Sequence, residues 1–212
     1  MKVGVIDYGV GNLGSLVRAL EMLGVKPILI NQASDMHASD CLILPGVGNF
    51  SDCFRKLEDG NWISGLKEEV IENSKPLLGV CVGMQLLADS SMEGSVNGDP
   101  ISGLGFVPGQ VKHLGALNCR LRVPHVGWNA VISCKARDLL FYEMPLETDF
   151  YFVHSYAFVA QDDADVIATT DYGITITAAV RRGRVWGTQF HPEKSSRAGL
   201  KLLKNFIDAT LC

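Results

Sequence analysis

What most constrains the fold of this chain is a rhythm in its first half. Short apolar runs, each closed by glycine or a polar turn, alternate with stretches of helical periodicity. KVGVID (2–7) reads as a strand. Residues 12–24, NLGSLVRALEMLG, set Leu13, Leu16, Val17, Leu20 and Leu23 at helical spacing and stop at Gly24. PILI (27–30) and CLILPG (41–46) are the second and third strands, 49–59 and 61–73 two further helices, and PLLGV (76–80) a fourth strand. Strands alternating with helices predict a parallel sheet with right-handed crossovers.

From about Gly103 to Gln189 the character changes to strand after strand: QVKHL (110–114), DFYFVHSYAFV (149–159), ADVIATT (164–170), ITITAAV (174–180) and RVWGTQF (184–190), with RRG (181–183) as a hairpin corner. A closing helix is expected over 195–211, with Leu200, Leu203, Ile207 and Leu211 on one face. MEGSVNGDPISG (92–103) is the loosest loop but is too short for a domain linker. The expectation is one α/β domain over residues 1–212, a length that buries a sizeable core, with a mostly parallel central sheet and an antiparallel extension.

Composition removes several function classes. A formal charge of −4 offers no basic face to nucleic acid or to a membrane of anionic lipid. No segment approaches the roughly 18 unbroken apolar residues of a membrane span, and Asp7 interrupts MKVGVI before it forms a signal-peptide core. A soluble, cytoplasmic protein is expected. Cysteines at 41, 53, 81, 119, 134 and 212 include no CxxC pair, so neither a structural zinc site nor a redox pair is expected, and no metal or other cofactor is implied.

GVGNLG (9–14) matches the GxGxxG dinucleotide fingerprint, follows a strand and opens a helix. That fingerprint needs an acidic residue at the end of the next strand, where this chain has the neutral amides Asn31 and Gln32. Two readings stand: a nucleotide-binding turn, or glycines that permit a tight strand-to-helix turn.

GVCVGMQLL (79–87) puts a cysteine where a buried strand gives way to helical spacing. GVCVG has the layout of the GxSxG nucleophile elbow with Cys81 in the serine's place, Gly79 and Gly83 relieving crowding so that the thiol can project above the sheet. A helix beginning at Val82 would aim its first amides at the sulfur and favour a nucleophilic thiolate. The alternative is an inert cysteine packed beside glycines. QFHPEKS (189–195) supplies a base: in an extended segment His191 and Glu193 point to one side, so Glu193 can orient His191 while His191 takes the thiol proton. LPGVGNF (44–50) is the third piece. Attack on a carbonyl creates an oxyanion that needs N–H donors about 3 Å away, and Gly46 and Gly48 flanking Val47 can present them. Together these describe an acyl-transfer site.

In order along the chain, PGVG, GVCVGMQ, PHVGWN, VHSYAF and FHPEKS resemble the class I (triad-type) glutamine amidotransferases over the full length. PHVGWN is most similar to the branch that supplies imidazole glycerol phosphate synthase. The resemblance implies a flavodoxin-like fold with helices on both faces of the sheet. It implies hydrolysis of L-glutamine to glutamate and ammonia, with Cys81 as nucleophile, His191 as general base and acid, and Glu193 as its orienter. Val47 and Gly48 would lie on the oxyanion strand, with the Val82 N–H as second donor. Gln85, Glu93 and the Ser155–Tyr156 backbone would hold glutamine. Asn12, Pro124, Trp128 and Lys194 would face a HisF-type (β/α)8-barrel cyclase in a heterodimer, which receives the ammonia in L-histidine synthesis. Trp128 has a second reading as a core tryptophan. A related branch, feeding sugar amidation in cell-surface polysaccharide synthesis, fits the same motifs. Val82 and Val126 stand where Leu and Met are frequent in the family, and Ala88 where an aromatic is usual.

Overall fold

The computed structural model describes residues 1–95, 98–135 and 138–210. In the first half β1 (Val3–Ile6), α1 (Leu13–Met22), β2 (Ile28–Ile30), β3 (Cys41–Gly46), α2 (Phe50–Asp59), α3 (Trp62–Leu66) and β4 (Leu77–Cys81) fall on the predicted runs. β1, β3 and β4 are buried along their whole length. Strands covered on both faces have no polar side to alternate with, which is why they read as unbroken apolar runs. α1 turns Leu16, Ala19 and Leu20 into the core.

The chain continues as α4 (Val82–Gln85), β5 (Ser90–Ser91), β6 (Ile101–Ser102), β7 (Gly109–His113), β8 (His125–Ser133), β9 (Glu147–His154), β10 (Tyr156–Ala160), β11 (Val166–Asp171), β12 (Thr175–Arg182), β13 (Val185–Thr188) and α5 (Ser196–Ala209). Among the described residues nine strands form one sheet in the order β2-β1-β3-β4-β13-β12-β11-β8-β9. β2, β1, β3, β4 and β13 run parallel; β12, β11, β8 and β9 extend the sheet antiparallel. A smaller sheet has the order β10-β7-β5-β6.

Three expectations need correction. Residues 149–159, predicted as one strand, are two: the chain breaks at Ser155 and passes from the large sheet to the small one. ADVIATT opens with a short turn, Asp163–Asp165, and only then becomes β11. β8 was not foreseen, because Gly127 and Asn129 interrupt its apolar alternation. α5 buries Leu203 and Ile207 as expected, alongside Leu202 and Phe206, while Leu211 and Cys212 lie outside the described residues.

The C-terminal ends of the parallel strands converge. Gly46, at the end of β3, is paired with Cys81, at the end of β4, and β13 is in register with β4 as it runs toward Gln189 and His191. That edge is where open α/β sheets place their ligands. Among the described residues no helix is long and apolar enough to cross a membrane.

Candidate active site

Cys81 closes β4 with φ 57° and ψ −112°, a conformation that costs a non-glycine residue on the order of 1–3 kcal/mol. The surrounding glycines make room for it. A Cβ on Gly79 would lie 2.6 Å from the Gly83 carbonyl oxygen, and one on Gly46 2.6 Å from the Gly83 nitrogen. A Cβ on Gly83 would overlap the Leu44 carbonyl oxygen. Three missing side chains thus let α4 start directly over β3 and β4, as the elbow pattern requires. α4 is a single turn, however, so the field expected from a helix N-terminus is that of a few peptides only. The groups at the sulfur are instead the Val153 carbonyl and the Gln189 side-chain amide, each at 3.9 Å, together with His191.

The segment carrying His191 is bolted to β9. The His191 N–H donates to the Tyr151 carbonyl at 2.9 Å, Ser195 Oγ donates to the His191 carbonyl at 2.6 Å, and the Tyr151 N–H donates to Ser195 Oγ at 3.0 Å. Phe190 stacks on Phe150 with ring centres 4.1 Å apart. His191 itself is extended, but Pro192–Lys194 forms a tight 3-10 turn rather than the extended run expected. The two side chains meet across that turn, Nδ1 to Oε1 at 2.7 Å. Nε2 is buried and has no hydrogen-bond partner among the described residues. Burial pushes the imidazole pKa down, but the adjacent Cys81 sulfur and the Glu193 carboxylate together outweigh it and hold the value at about 9.

A cavity of about 390 Å³ opens on Cys81. It brings together Val47, Gly48, Val82, Gln85, Glu93, Pro124, Ser155, Tyr156, His191 and Lys194, all singled out from sequence, and adds Val153 and His154, which were not. Glu93 Oε2 accepts the Phe50 N–H at 2.9 Å; burial raises its pKa, the Phe50 bond opposing. A half-buried carboxylate with one N–H suits a cationic ligand group. Gln85 Nε2 donates to the Tyr156 carbonyl and to Gln189 Oε1, both at 3.0 Å, which leaves its own carbonyl oxygen for a ligand. Val47 directs its carbonyl to the Cys53 thiol at 3.4 Å, and Gly48 takes φ 89°.

Asn12 lies outside this cavity, in a small cleft with Pro45, His191 and Glu193. Trp128 is 54% exposed, which excludes a core role. Its ring stands edge-on to Tyr151, 6.3 Å between centres, and Lys194 Nζ lies 5.8 Å over the same tyrosine. Val126, also 54% exposed, shares that face of β8.

The GVGNLG turn has another use. The Gly9 N–H donates to Asp7 Oδ1 at 3.1 Å, so the first amide of the turn is already taken by a carboxylate, and Lys56 Nζ donates to the Gly9 carbonyl at 2.7 Å. Gly11, at φ 122°, leaves space that a Cβ would fill to within 3.2 Å of Pro45. These glycines let the turn pack against the PGVG loop.

Residues 4–209 match the family model of the class-I glutamine amidotransferases. The chain belongs to this family. It is 44% identical over 209 residues to imidazole glycerol phosphate synthase subunit HisH 2 of Vibrio vulnificus, covering 98% of this chain and 94% of that protein. It is 43% identical over 204 residues to subunit HisH of Moorella thermoacetica, covering 96% and 93%. Among solved structures it is similar to a glutamine amidotransferase at TM-score 0.75 with 20% identity over 99% of each chain. It is also similar to PurLQS from Thermotoga maritima at TM-score 0.72 with 17% identity over 98% of each. At these identities the likeness to the solved structures is one of fold. In this amidotransferase, residues from the stretches 47–48, 81–85, 93, 124, 153–156 and 191–194 line one cavity around a single thiol.

Proposed function

We propose that this amidotransferase is the glutamine-hydrolysing subunit of an imidazole glycerol phosphate synthase, with Cys81, His191 and Glu193 as its triad. The observation that carries the catalytic part is the His191 ring, with one nitrogen on Glu193 at 2.7 Å and the other left free beside Cys81. Cys81 Sγ attacks the side-chain carboxamide carbon of glutamine as its proton passes to His191 Nε2. The N–H groups of Val82 and of the Val47–Gly48 turn hold the oxyanion. The C–N bond then breaks, and His191 returns the proton to the departing nitrogen, releasing ammonia. Water, deprotonated by His191, attacks the thioester, frees glutamate and restores the thiol. Glu93 faces the substrate's α-ammonium, and Gln85 with the Ser155–Tyr156 backbone holds the rest.

Ammonia that escapes into water is protonated and loses its nucleophilicity, so the product must pass directly to its acceptor. Trp128 and Val126, both half-exposed and apolar, form a face near the cavity that Pro124 and Lys194 help to line, a composition suited to a protein partner. Asn12, exposed in the cleft beside His191 and Glu193, is assigned to the same interface by the family resemblance. The partner is a HisF-type (β/α)8 cyclase, the pair working in the cytoplasm. The name of the 43–44% identical relatives supports this assignment. The test is ring formation by that cyclase from its ribonucleotide substrate, with glutamine as the only nitrogen source. Product that depends on this chain is expected. Glutamate release without product assigns the ammonia to a different acceptor, such as sugar amidation.

A further inference from the structure

Two buried histidines take no part in the proposed triad: His154 lines the cavity wall, and His125 stands behind it. His125 on β8 and His154 on β9 lie opposite each other in the strand register and touch, Nδ1 of His125 to Nε2 of His154, at 2.9 Å. His154 Nδ1 lies 2.8 Å from the Tyr156 carbonyl oxygen. His125 Nε2 lies 3.3 Å from Asn129 Nδ2.

The direction of this chain is determined by its ends. A carbonyl oxygen can only accept, so His154 Nδ1 carries the hydrogen and donates to Tyr156. In a neutral ring Nε2 must then accept, so His125 Nδ1 donates to it, and His125 Nε2 accepts in turn from Asn129. The Asn129 amide is oriented by its other bonds: its Nδ2 also donates to the Asp171 carbonyl at 2.7 Å, and its Oδ1 accepts the Ala130 N–H at 2.9 Å. Every ring nitrogen is used once, and a second proton on either ring would set two N–H groups against each other. Burial agrees, pushing both histidines down to about 4; His125 and His191 press His154 further the same way, against its Tyr156 bond. His125 is also clamped between the rings of Tyr172, at 4.0 Å, and Phe152, at 4.7 Å, so it cannot swing out of line.

The chain runs on to the wall of the Cys81 cavity. The Tyr156 carbonyl that His154 fixes also accepts from Gln85, which is bonded to Gln189, whose amide reaches the Cys81 sulfur at 3.9 Å. We propose that His154, backed by His125, is a positioning residue for glutamine: its N–H sets the Tyr156 carbonyl and with it the Ser155–Tyr156 backbone of the cavity wall. This rests on the reading of the Cys81 cavity as the glutamine site.

The test compares two reagents on the full chain, read at the Cys81 peptide by mass: a diazoketone analogue of glutamine, which must occupy the site, and iodoacetamide, which needs only the thiol. In His154→Phe the diazoketone concentration for half-maximal inactivation rises by roughly tenfold or more, the loss expected for a buried hydrogen bond. The iodoacetamide rate stays within about twofold, and His154→Asn, which returns an N–H near the Nδ1 position, recovers most of the loss. Equal slowing toward both reagents, or an unchanged diazoketone constant, overturns the proposal and leaves His154 as packing. Failure of the diazoketone to modify Cys81 in the unaltered chain overturns the site reading itself and this inference with it. Should His154→Phe not fold, His125→Phe removes the same chain one link further out and must shift the diazoketone constant in the same sense.

Discussion

His191 and Glu193, two residues apart, meet through a 2.7 Å contact with side chains 2% and 4% exposed. A carboxylate accepts and does not donate, so this contact fixes the hydrogen on Nδ1 and turns a basic Nε2 toward Cys81. In Glu193→Gln the tautomer is no longer held, and of the two groups that raise His191, Cys81 and Glu193, the second is lost. Glutamine turnover should fall by roughly 10²- to 10⁴-fold in kcat with KM little changed, as when a triad carboxylate is made neutral. Steady-state kinetics check the rate. Proton NMR of His191 checks the cause, its pKa falling from about 9.

Three histidines give stability a pH optimum with separable limbs. His191 is raised from 6.5 to about 9, so the stability it adds is complete below about 6.5 and is lost as pH rises through 9. His125 and His154 are lowered from 6.5 to about 4, so the unfolded chain binds protons that the folded chain refuses, and stability falls as pH drops from 6.5 toward 4. Urea midpoints across pH should therefore peak near 6.5, with Glu193→Gln flattening the alkaline limb and His154→Asn the acid limb. An alkaline limb indifferent to Glu193→Gln would assign it to other groups.

The elbow tolerates no side chain at its second glycine. In Gly83→Ala the new methyl runs into the Leu44 carbonyl of β3, a backbone atom that cannot give way. A cost of at least about 3 kcal/mol in urea unfolding is expected. Gly14→Ala is the contrast. It lies on the exposed side of α1 with nothing within 4 Å of the added carbon, and should stabilise by roughly 0.5–1 kcal/mol.

Trp128→Ala removes an exposed ring and should leave the unfolding temperature unchanged. Binding to the cyclase, followed by titration calorimetry, should weaken by about 30-fold or more, the scale of an aromatic anchor. Unchanged affinity would move the partner to another face.

The elbow is legible in sequence because its pattern lies within five residues, Gly79 to Gly83, and the strand before it is buried on both faces; the need for Gly46 on β3 shows only in the fold. His191 and Glu193 are legible for the same local reason, although the turn that joins them is tighter than the extended geometry expected. What the sequence does not disclose depends on tertiary register. Whether 149–159 continues or breaks at Ser155 is decided by which sheet each half can pair with. The meeting of His125 with His154 follows from the pairing of β8 with β9, and β8 hides behind Gly127 and Asn129. Both histidines stand in motifs that look informative, PHVGWN and VHSYAF, yet only the register shows that they form one chain. GVGNLG misleads for the opposite reason: its local pattern is right for a phosphate, while Asp7 already occupies the amide.

The most direct test of the central claim is glutamate release from glutamine by the full chain, with and without the cyclase, set against Cys81→Ala. Release by the unaltered protein, stimulated by the cyclase, is expected, and none by Cys81→Ala at an unchanged unfolding midpoint. Release that survives in a folded Cys81→Ala protein would contradict the Cys81–His191–Glu193 assignment.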